Sequence, residues 1–349
     1  MKVTVILGAG FSKNSGLPVQ SEIPALLVQN KNNNELEYGI TLVIKKFMEE
    51  VFCCTVNNTY PELDDILNCI DISTNTGHHL SIKYSSMHLG AIRRFLVFRV
   101  FSILEERYKY SQDVDKLIKG FINNFDVGFV VLNWDNVLEK YIHMLNADIG
   151  IDYVNGGKVL GSPEHTKRNH KSIKLLKIHG SCNWLYCDNC RVLINDMENK
   201  YTLMEKAGFK ETDFGIFDEL KSIKHFDIFT GSAKCLICGD IVSSHIATQS
   251  YRKSFRENSY PCIWSEAEDM LANSDKWVFI GYSMPQADYE FKHLLKISEL
   301  KLSHKKQNRL SIDVVLLNSK NTTMTYKSFF GDKLGIICNE GISKYLKYI

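Results

Sequence analysis

The sequence predicts an α/β fold built on a doubly wound parallel sheet. Six short segments are rich in Val, Ile, Leu and Phe without strict alternation, which is typical of strands covered on both faces. Polar turns or helical stretches separate them, as the crossovers between parallel strands require. The predicted strands, in chain order, are Val3–Leu7, Phe129–Leu132, Ile173–Ile178, Trp277–Ile280, Ile312–Leu317 and Gly335–Cys338.

The composition limits the class of protein. With 349 residues the chain can form one large domain or two modest ones, and a net charge of +2 gives no field that favours nucleic acid or a membrane surface. The longest apolar run, Phe95–Leu104, includes an arginine and is about half the length of a membrane span. A strand at the N-terminus without a charged leader favours a cytoplasmic protein. Ten cysteines then indicate thiols and metal ligands rather than disulfides.

The first predicted strand runs directly into a glycine-rich turn, Gly8-Ala9-Gly10, which is followed by Ser12. Glycine has no Cβ, so a phosphate could approach the main-chain N–H groups at this turn. The sequence therefore indicates a nucleotide-binding turn, although Gly-x-Gly also occurs in tight turns that bind nothing.

The interval from about residue 24 to residue 124 has helical periodicity and no convincing strand. Long helices are predicted over Ile40–Phe52 and from Met87 to Tyr108, and a shorter one over Leu63–Ile70. We interpret residues 26–124 as a helical module inserted after the first strand and helix.

One stretch of this insertion carries more apolar surface than a single helical face needs. It is either buried in the core of the insertion or partly used as a subunit interface in a homo-oligomer. The residues concerned are Phe95, Val97, Phe98, Val100 and Phe101.

Polar residues follow the second and third predicted strands. Asn133 and Asp135 come after the second, and His179 comes after the third. Ligands of open parallel sheets bind beyond the carboxyl ends of the strands, so these side chains can share one crevice. Asn133 and Asp135 could instead cap a helix, and His179 could be a core residue whose hydrogen bonds are satisfied. Histidine can accept or donate a proton near neutrality, which suits a catalytic role.

Two Cys-x-x-Cys pairs, Cys187 with Cys190 and Cys235 with Cys238, lie in a second insertion over residues 182–240. Each pair can supply two thiolates from a tight turn, and together they can complete a tetrahedral zinc site. Because four sulfur ligands leave no open position, the predicted zinc is structural. The alternative is four unrelated buried thiols.

These motifs, in this order, resemble those of the sirtuin family. Gly8-Ala-Gly10-Phe-Ser12 with the later Gly-Leu-Pro resembles the opening motif, and Asn133-Trp-Asp135 resembles Thr-Gln-Asn-Ile-Asp. His179-Gly-Ser is similar to the family's His-Gly-Ser, and the zinc module follows it as in sirtuins. Gly281-Tyr-Ser283 resembles the Gly-Thr-Ser loop, and a strand ends in Asn318. The resemblance covers residues 1–23 and about 129–318 but not the helical insertion.

The resemblance implies a Rossmann-like NAD-binding domain made of residues 1–25, 125–181 and 241–349. It implies that Asn133 holds a water near the nicotinamide ribose, that His179 contacts the ribose hydroxyls with general-base help, and that Asp135 helps to hold the carboxamide. The pyrophosphate would lie on the first turn and the adenosine side on the later loops. The implied NAD-binding residues are Gly8, Ala9, Gly10, Ser12, Asp135, Gly281, Ser283, Asp288 and Asn318, where Asp288 is either a ribose contact or structural.

Departures from the family pattern refine the expected reaction. Leu132 and Trp134 replace the family's Gln and Ile, and the Phe-Gly-Glu strand that clamps an acyl-lysine peptide is missing, as is Asp-Phe-Arg. Gly-Tyr-Ser followed by Asp288 is typical of bacterial sirtuin-like proteins that cleave NAD. We therefore expect NAD to be a consumed substrate, hydrolysed to nicotinamide and ADP-ribose.

The resemblance also implies a biological setting. Such enzymes deplete NAD in antiphage defence, and their control implies assembly, with a HerA-type ATPase or an Argonaute-like protein as partner. The alternative functions are an NAD-dependent protein deacylase and a non-catalytic NAD-sensing scaffold.

Overall fold

A computed structural model describes residues 1–29, 34–54, 59–155, 158–159, 172–187, 189–196, 200–221, 223, 232–246, 259–306 and 310–349. Its centre is a parallel sheet of seven strands in the order β11-β10-β9-β1-β2-β5-β3. These strands are β1 Lys2–Leu7, β2 Asp126–Val131, β3 Gly150–Asp152, β5 Ser172–Lys177, β9 Lys276–Ile280, β10 Ser311–Val315 and β11 Leu334–Cys338.

The sheet confirms the predicted fold class. Strand β1 is central, and the chain first adds β2, β5 and β3 on one side of it and later β9, β10 and β11 on the other. Because the direction in which strands are added changes at β1, a crevice forms at the carboxyl ends of the central strands. All six predicted strands are present. The seventh, β3, was not predicted because its three residues are only partly buried and form no apolar run.

Helices cover both faces of the sheet and form most of the first insertion. Asn34 and Ser111 cap two of them by accepting the backbone N–H groups of Leu36 and Val114. The described helices are α1 Ala9–Lys13, α2 Ile23–Leu27, α3 Glu35–Phe52, α4 Leu63–Thr76, α5 Ser86–Arg107, α6 Gln112–Asn124, α7 Val137–Leu145, α8 Leu203–Lys206, α9 Glu211–Gly215, α10 Ser259–Ala272, α11 Tyr289–Lys306, α12 Lys320–Phe330 and α13 Ile342–Tyr345. Within the described ranges, none of these helices is both long enough and apolar enough to cross a membrane.

The apolar stretch of α5 is buried inside the chain. Phe95 is 0% exposed, and its ring packs against those of Phe209, Phe214 and Phe217, with centroids 5.5–6.0 Å apart. Val97, Phe98, Val100 and Phe101 are buried as well. The alternative in which these side chains form a subunit interface is therefore wrong, because the chain itself covers them.

The second insertion divides between two cores. Its residues 203–221 and 223 pack against the helical insertion. There, Nε and one terminal nitrogen of Arg94 donate to the two carboxylate oxygens of Asp213. The cysteine-bearing part belongs to a separate four-stranded sheet with its own small core, and two strands of that sheet come from outside the insertion. Helix α6, in contrast, contributes its apolar side to the core of the main sheet. The predicted domain limits stay a prediction. The strands of the small sheet are β4 Lys158–Val159, β6 Gly180–Cys187, β7 Val192–Asn195 and β8 Ser243–Ile246.

The turn after β1 packs directly on the turn after β9, backbone against backbone. Gly281 has φ +64°, and a Cβ there would lie 2.1 Å from the Phe11 nitrogen. The N–H of Gly8 donates to the Ile280 carbonyl at 3.0 Å, and that of Gly10 donates to the Gly281 carbonyl at 2.9 Å. Glycine is required because any side chain would separate the two turns.

We predict that Gly281→Ala lowers the free energy of unfolding by roughly 2–5 kcal/mol, since it adds left-handed strain and a backbone clash. Denaturant unfolding measures this loss. Gly77→Ala is the matched control, because Gly77 has φ +71° with nothing within 4 Å of an added Cβ. The control should lose only about 1 kcal/mol. Equal losses in the two variants would contradict the proposed backbone contact.

Candidate functional site

A pocket opens at the carboxyl ends of β1, β2 and β5. The turns after these strands supply most of its wall, and helix α5 of the insertion adds Leu104. The predicted residues Asn133, Asp135 and His179 therefore meet in one place, as strand ends of a parallel sheet should. The lining residues are Ala9, Pro18, Gln20, Ile23, Leu104, Leu132, Asn133, Trp134, Asp135 and His179.

A short relay of hydrogen bonds fixes Asn133. Its Nδ2 donates to the Ser12 hydroxyl at 2.9 Å, and that hydroxyl donates to Asp135 Oδ1 at 3.0 Å. The same Asp135 oxygen accepts the N–H of Val137, the first residue of α7. The N-cap position of that helix is Asn136, whose side chain makes no capping bond. Ser12 is 1% exposed and its hydroxyl hydrogen is already used. Its contact with a pyrophosphate stays a prediction, and in this structure the Ser12 hydroxyl orients Asn133.

This relay leaves the carbonyl oxygen of Asn133 available for a ligand. Asn133 is 9% exposed, and within the described residues its Oδ1 has no hydrogen-bond partner. A buried acceptor without a donor lowers the stability of the folded state by about 1–3 kcal/mol, unless a ligand or a water supplies the donor. The oxygen can accept a hydrogen bond from a water or from a ligand hydroxyl.

His179 is likewise enclosed, at 1% exposure, and in the described part of the chain neither ring nitrogen has a hydrogen-bond partner. Its Nε2 lies 3.6 Å from Asp288 Oδ2. Tyr282 donates its hydroxyl to that same oxygen at 2.8 Å. Burial, and next the Asp288 carboxylate, raise the pKa of Tyr282 well above its ordinary value, so the phenol stays protonated and donates.

A buried ammonium joins the turns that carry Asn133 and His179. Lys177 is 0% exposed and donates to the Asp135 carbonyl, to Ser181 Oγ at 2.7 Å and to Glu139 Oε1 at 2.9 Å. The Asp135 carbonyl belongs to the turn after β2, and Ser181 lies at the start of β6, two residues after His179. Two of these three bonds end on the two turns, at the Asp135 carbonyl and at Ser181, and therefore set their spacing. The hydroxyl of Tyr153 donates to Glu139 at 3.1 Å and completes this network.

The remaining predicted NAD-binding residues lie at the same edge but outside the pocket. Ser283 follows β9 and Asn318 follows β10, and both are exposed. Among the residues of the first turn, Ala9 lines the pocket, whereas Gly8 and Gly10 use their N–H groups on the β9 turn. A phosphate at this glycine turn stays a prediction, and it would have to use N–H groups other than those of Gly8 and Gly10. A dinucleotide site along this edge stays a prediction.

Sequence reasoning missed three contributors to the site. Leu104 could not be predicted as a pocket residue because the helical insertion carries no recognisable chemistry. Tyr282 was considered only as part of a loop motif. Lys177 had a detectable signal, since a lysine within the apolar run Leu-Leu-Lys-Ile is out of place in a buried strand.

The four predicted zinc ligands come together at the tip of the small sheet. The Sγ atoms of Cys187, Cys190, Cys235 and Cys238 all lie within 4.8 Å of one another, and those of Cys187 and Cys238 are 3.6 Å apart. Tetrahedral zinc with sulfur ligands at about 2.3 Å requires a separation of about 3.8 Å between sulfurs. The residues present therefore fit a zinc ion.

The backbone of both Cys-x-x-Cys turns also suits a metal site. The N–H of Cys190 points at Cys187 Sγ and that of Ile237 at Cys235 Sγ, both at 3.4 Å. Burial opposes ionisation of Cys235, but the N–H groups of Cys238 and Ile237 outweigh it and lower the pKa of Cys235 to about 7. Thiolates are the form that binds metal, so this turn prepares Cys235 as a ligand. In the other turn, burial raises the pKa of Cys187, and the Cys238 thiol raises the pKa of Cys190 to about 12.

Comparisons with known proteins identify structural neighbours only. No family model and no curated protein matches the chain. The chain is similar to a solved structure described as "Sir2-p53 peptide-NAD+", with 14% identity and TM-score 0.47 over 99% of this chain and 90% of that one. It is similar to "Structure of Sir2Tm bound to a propionylated peptide" at 14% identity and TM-score 0.47, covering 100% and 91% of the two chains. Such values do not establish the family.

We predict that purified protein carries about one zinc ion per chain, because the four sulfurs form a closed site. Cys187→Ser should lower the zinc content and the thermal stability, since metal binding is coupled to folding. Metal analysis and thermal unfolding measure both effects. Cys53→Ser is the control, because Cys53 is exposed and outside the cluster. Folded, reduced wild-type protein without zinc would refute the metal site.

We predict that Lys177→Met lowers the free energy of unfolding by about 3–5 kcal/mol, because it leaves Glu139 buried without its cation. The double variant Lys177→Met/Glu139→Leu should lose less, since no charge stays uncompensated. Equilibrium unfolding in denaturant measures each variant.

Lys174→Met on the same strand is the matched control. Lys174 also pairs with a glutamate, Glu266, but its side chain is 48% exposed, so the change should cost about 0–1 kcal/mol. Similar losses at positions 174 and 177 would show that the buried network does not hold the two turns.

Proposed function

We propose that this protein hydrolyses NAD at the bond between nicotinamide and ribose. The observation that supports the proposal is a pair of buried polar groups in one pocket, the Asn133 carbonyl oxygen and the His179 imidazole, which have no hydrogen-bond partner among the described residues. Folded proteins rarely leave such groups unpaired, so they mark the place of a ligand that supplies the missing bonds. The sirtuin-like motifs around both residues indicate that this ligand is NAD.

The reaction divides into bond cleavage and addition of water. The N-glycosidic bond breaks with its electron pair passing to nicotinamide, and the ribose carbon becomes oxocarbenium-like. Water then bonds to that carbon and loses a proton, which gives ADP-ribose. Asn133 Oδ1 would hold the attacking water in position, and His179 would contact the ribose hydroxyls and accept the proton. Neither role needs a metal, and the proposed zinc takes no part.

The walls of the pocket suit the leaving group. Pro18, Ile23, Leu104, Leu132 and Trp134 supply apolar surface on several sides, whereas Asn133, Asp135 and His179 place polar groups within the same wall. Ligand sites of this kind combine a mostly apolar lining with a few polar groups that fix orientation. A flat aromatic ring with one carboxamide, such as nicotinamide, matches that pattern.

Water rather than acyl-lysine is the favoured acceptor. The sequence lacks the Phe-Gly-Glu strand that clamps a peptide in sirtuin deacylases, although part of the corresponding segment lies outside the described residues. A scaffold that only senses NAD is less favoured, because simple binding does not require both Asn133 and His179.

The biological role follows from the motif resemblance alone. We propose a cytoplasmic effector of bacterial antiphage defence that depletes NAD when activated. Activation would involve a homo-oligomer or a partner of the HerA-type ATPase or Argonaute-like class. Light scattering across a dilution series, read together with NAD turnover, tests this control. A monomer at micromolar concentration with full constitutive activity would rule it out.

We predict that the purified protein releases nicotinamide and ADP-ribose from NAD without any peptide. Asn133→Ala and His179→Ala should each lower the rate by at least about 100-fold, the usual contribution of a positioned acid–base group. Chromatography of the products measures the rates with and without an acetylated peptide.

The matched control is His143→Ala, because His143 is an exposed histidine on α7 and should not affect turnover. Cleavage that requires the peptide would support the deacylase instead. NAD binding without cleavage by the wild-type protein would support the scaffold, and normal turnover by His179→Ala would refute the catalytic pair.

A further inference from the structure

We propose that Asp288 is a positioning residue for His179, which it holds with Nε2–H directed at its carboxylate and with the Nδ1 lone pair left for the substrate. The inference rests on the proposed NAD cleavage and deepens it, because it assigns the group that orients the base. Of the two roles that the sequence left open for Asp288, a ribose contact and a structural one, the inference selects the structural one.

The contact spans the crevice of the sheet. His179 follows β5, whereas Asp288 belongs to the loop after β9, and β1 and β2 lie between those strands. The loop nevertheless brings Asp288 Oδ2 to 3.6 Å from His179 Nε2. A shift of about 0.6 Å would turn this approach into a hydrogen bond of ordinary length.

Other bonds keep Asp288 in this place. Tyr282 donates its hydroxyl to Oδ2 at 2.8 Å, and the Tyr282 carbonyl accepts the hydroxyl of Tyr326 at 3.0 Å. The Asp288 side chain is 0% exposed. Few carboxylates in folded proteins are so completely buried. A carboxylate so enclosed is in a position to orient a neighbouring donor rather than to bind a ligand at the surface.

The chemistry of histidine gives the arrangement its consequence. A neutral imidazole carries one proton, and a carboxylate beside one nitrogen keeps the proton there. With Nε2–H directed at Asp288, Nδ1 is the nitrogen that can accept a proton from a ribose hydroxyl or water. The carboxylate also stabilises the imidazolium that forms when the proton arrives.

Kinetics of Asp288→Asn separate positioning from direct substrate contact. A positioning role predicts that kcat falls about 10–100-fold. The KM for NAD should stay within about twofold, because the residue does not touch the substrate. In a His179→Ala background, Asp288→Asn should change the residual rate by less than about twofold, since both variants remove one function. Tyr282→Phe should lower kcat in the same way but by less.

A spectroscopic measurement tests the tautomer without relying on activity. Nitrogen-15 NMR of the histidines, assigned by comparison with His179→Ala, should show His179 protonated at Nε2 in the wild type. Asp288→Asn should shift His179 toward a mixture of tautomers. This measurement remains decisive if the protein proves not to cleave NAD, so failure of the proposed function and failure of this inference are distinguishable.

Tyr345→Phe is the matched control for Tyr282→Phe. Tyr345 donates its hydroxyl to Asp313 Oδ2 at 2.6 Å and forms a second buried tyrosine–aspartate pair. Asp313 is part of β10, and neither residue lines the pocket. Its loss should lower stability and leave kcat within about twofold of the wild type.

Three results would overturn the inference. The first is an Asp288→Asn variant with normal kcat and a KM raised tenfold or more, which indicates a ribose contact. The second is an Asp288→Asn/His179→Ala double variant whose rate of NAD cleavage falls by the product of the two single-variant losses. The third is an unchanged His179 tautomer in both Asp288→Asn and Tyr282→Phe, the latter serving if Asp288→Asn does not fold.

Discussion

Two backbone turns that touch with no side chain between them set the positions of the loops on one side of the site. Strands β1 and β9 pair in register up to Leu7 and Ile280, so the turns that leave them start at the same level. Gly281 can then lie against Phe11 because it has no Cβ. This contact keeps Ala9 at the pocket and directs the loop after β9 toward β5, where Asp288 approaches His179.

The other side of the pocket depends on charge rather than on close packing. Lys177 places a cation behind the site and joins the turn after β2 to the start of β6. Its partner Glu139 compensates the positive charge of Lys177 close to the place where, in the proposed reaction, the ribose would become positive. The turns around the pocket are thus fixed by glycine contacts on one side and by an ion pair on the other. These contacts hold the Asn133 oxygen and His179 in place at the pocket. Such preorganisation is what a reaction that depends on positioning requires.

Local sequence patterns predicted much of this molecule. Buried strands appear as apolar runs such as Trp277–Ile280, polar residues after two strands mark the pocket, and the spacing of the cysteines marks the four-cysteine cluster. The rest depends on contacts between residues far apart in the chain. The close approach of Gly281 to Phe11 and the packing of Phe209 on Phe95 leave no local pattern. For that reason the sequence did not show that the first glycines contact the turn after β9, and it left a subunit interface as one alternative for the apolar stretch of α5.

A structure of the Asn133→Ala variant with NAD tests the central claim most directly, because this variant should bind NAD without cleaving it. We predict that the nicotinamide ring lies against the apolar wall formed with Leu104, and that a ribose hydroxyl lies within about 3 Å of a His179 ring nitrogen. NAD bound elsewhere on the chain, or in this pocket with its ribose away from His179, would contradict the account.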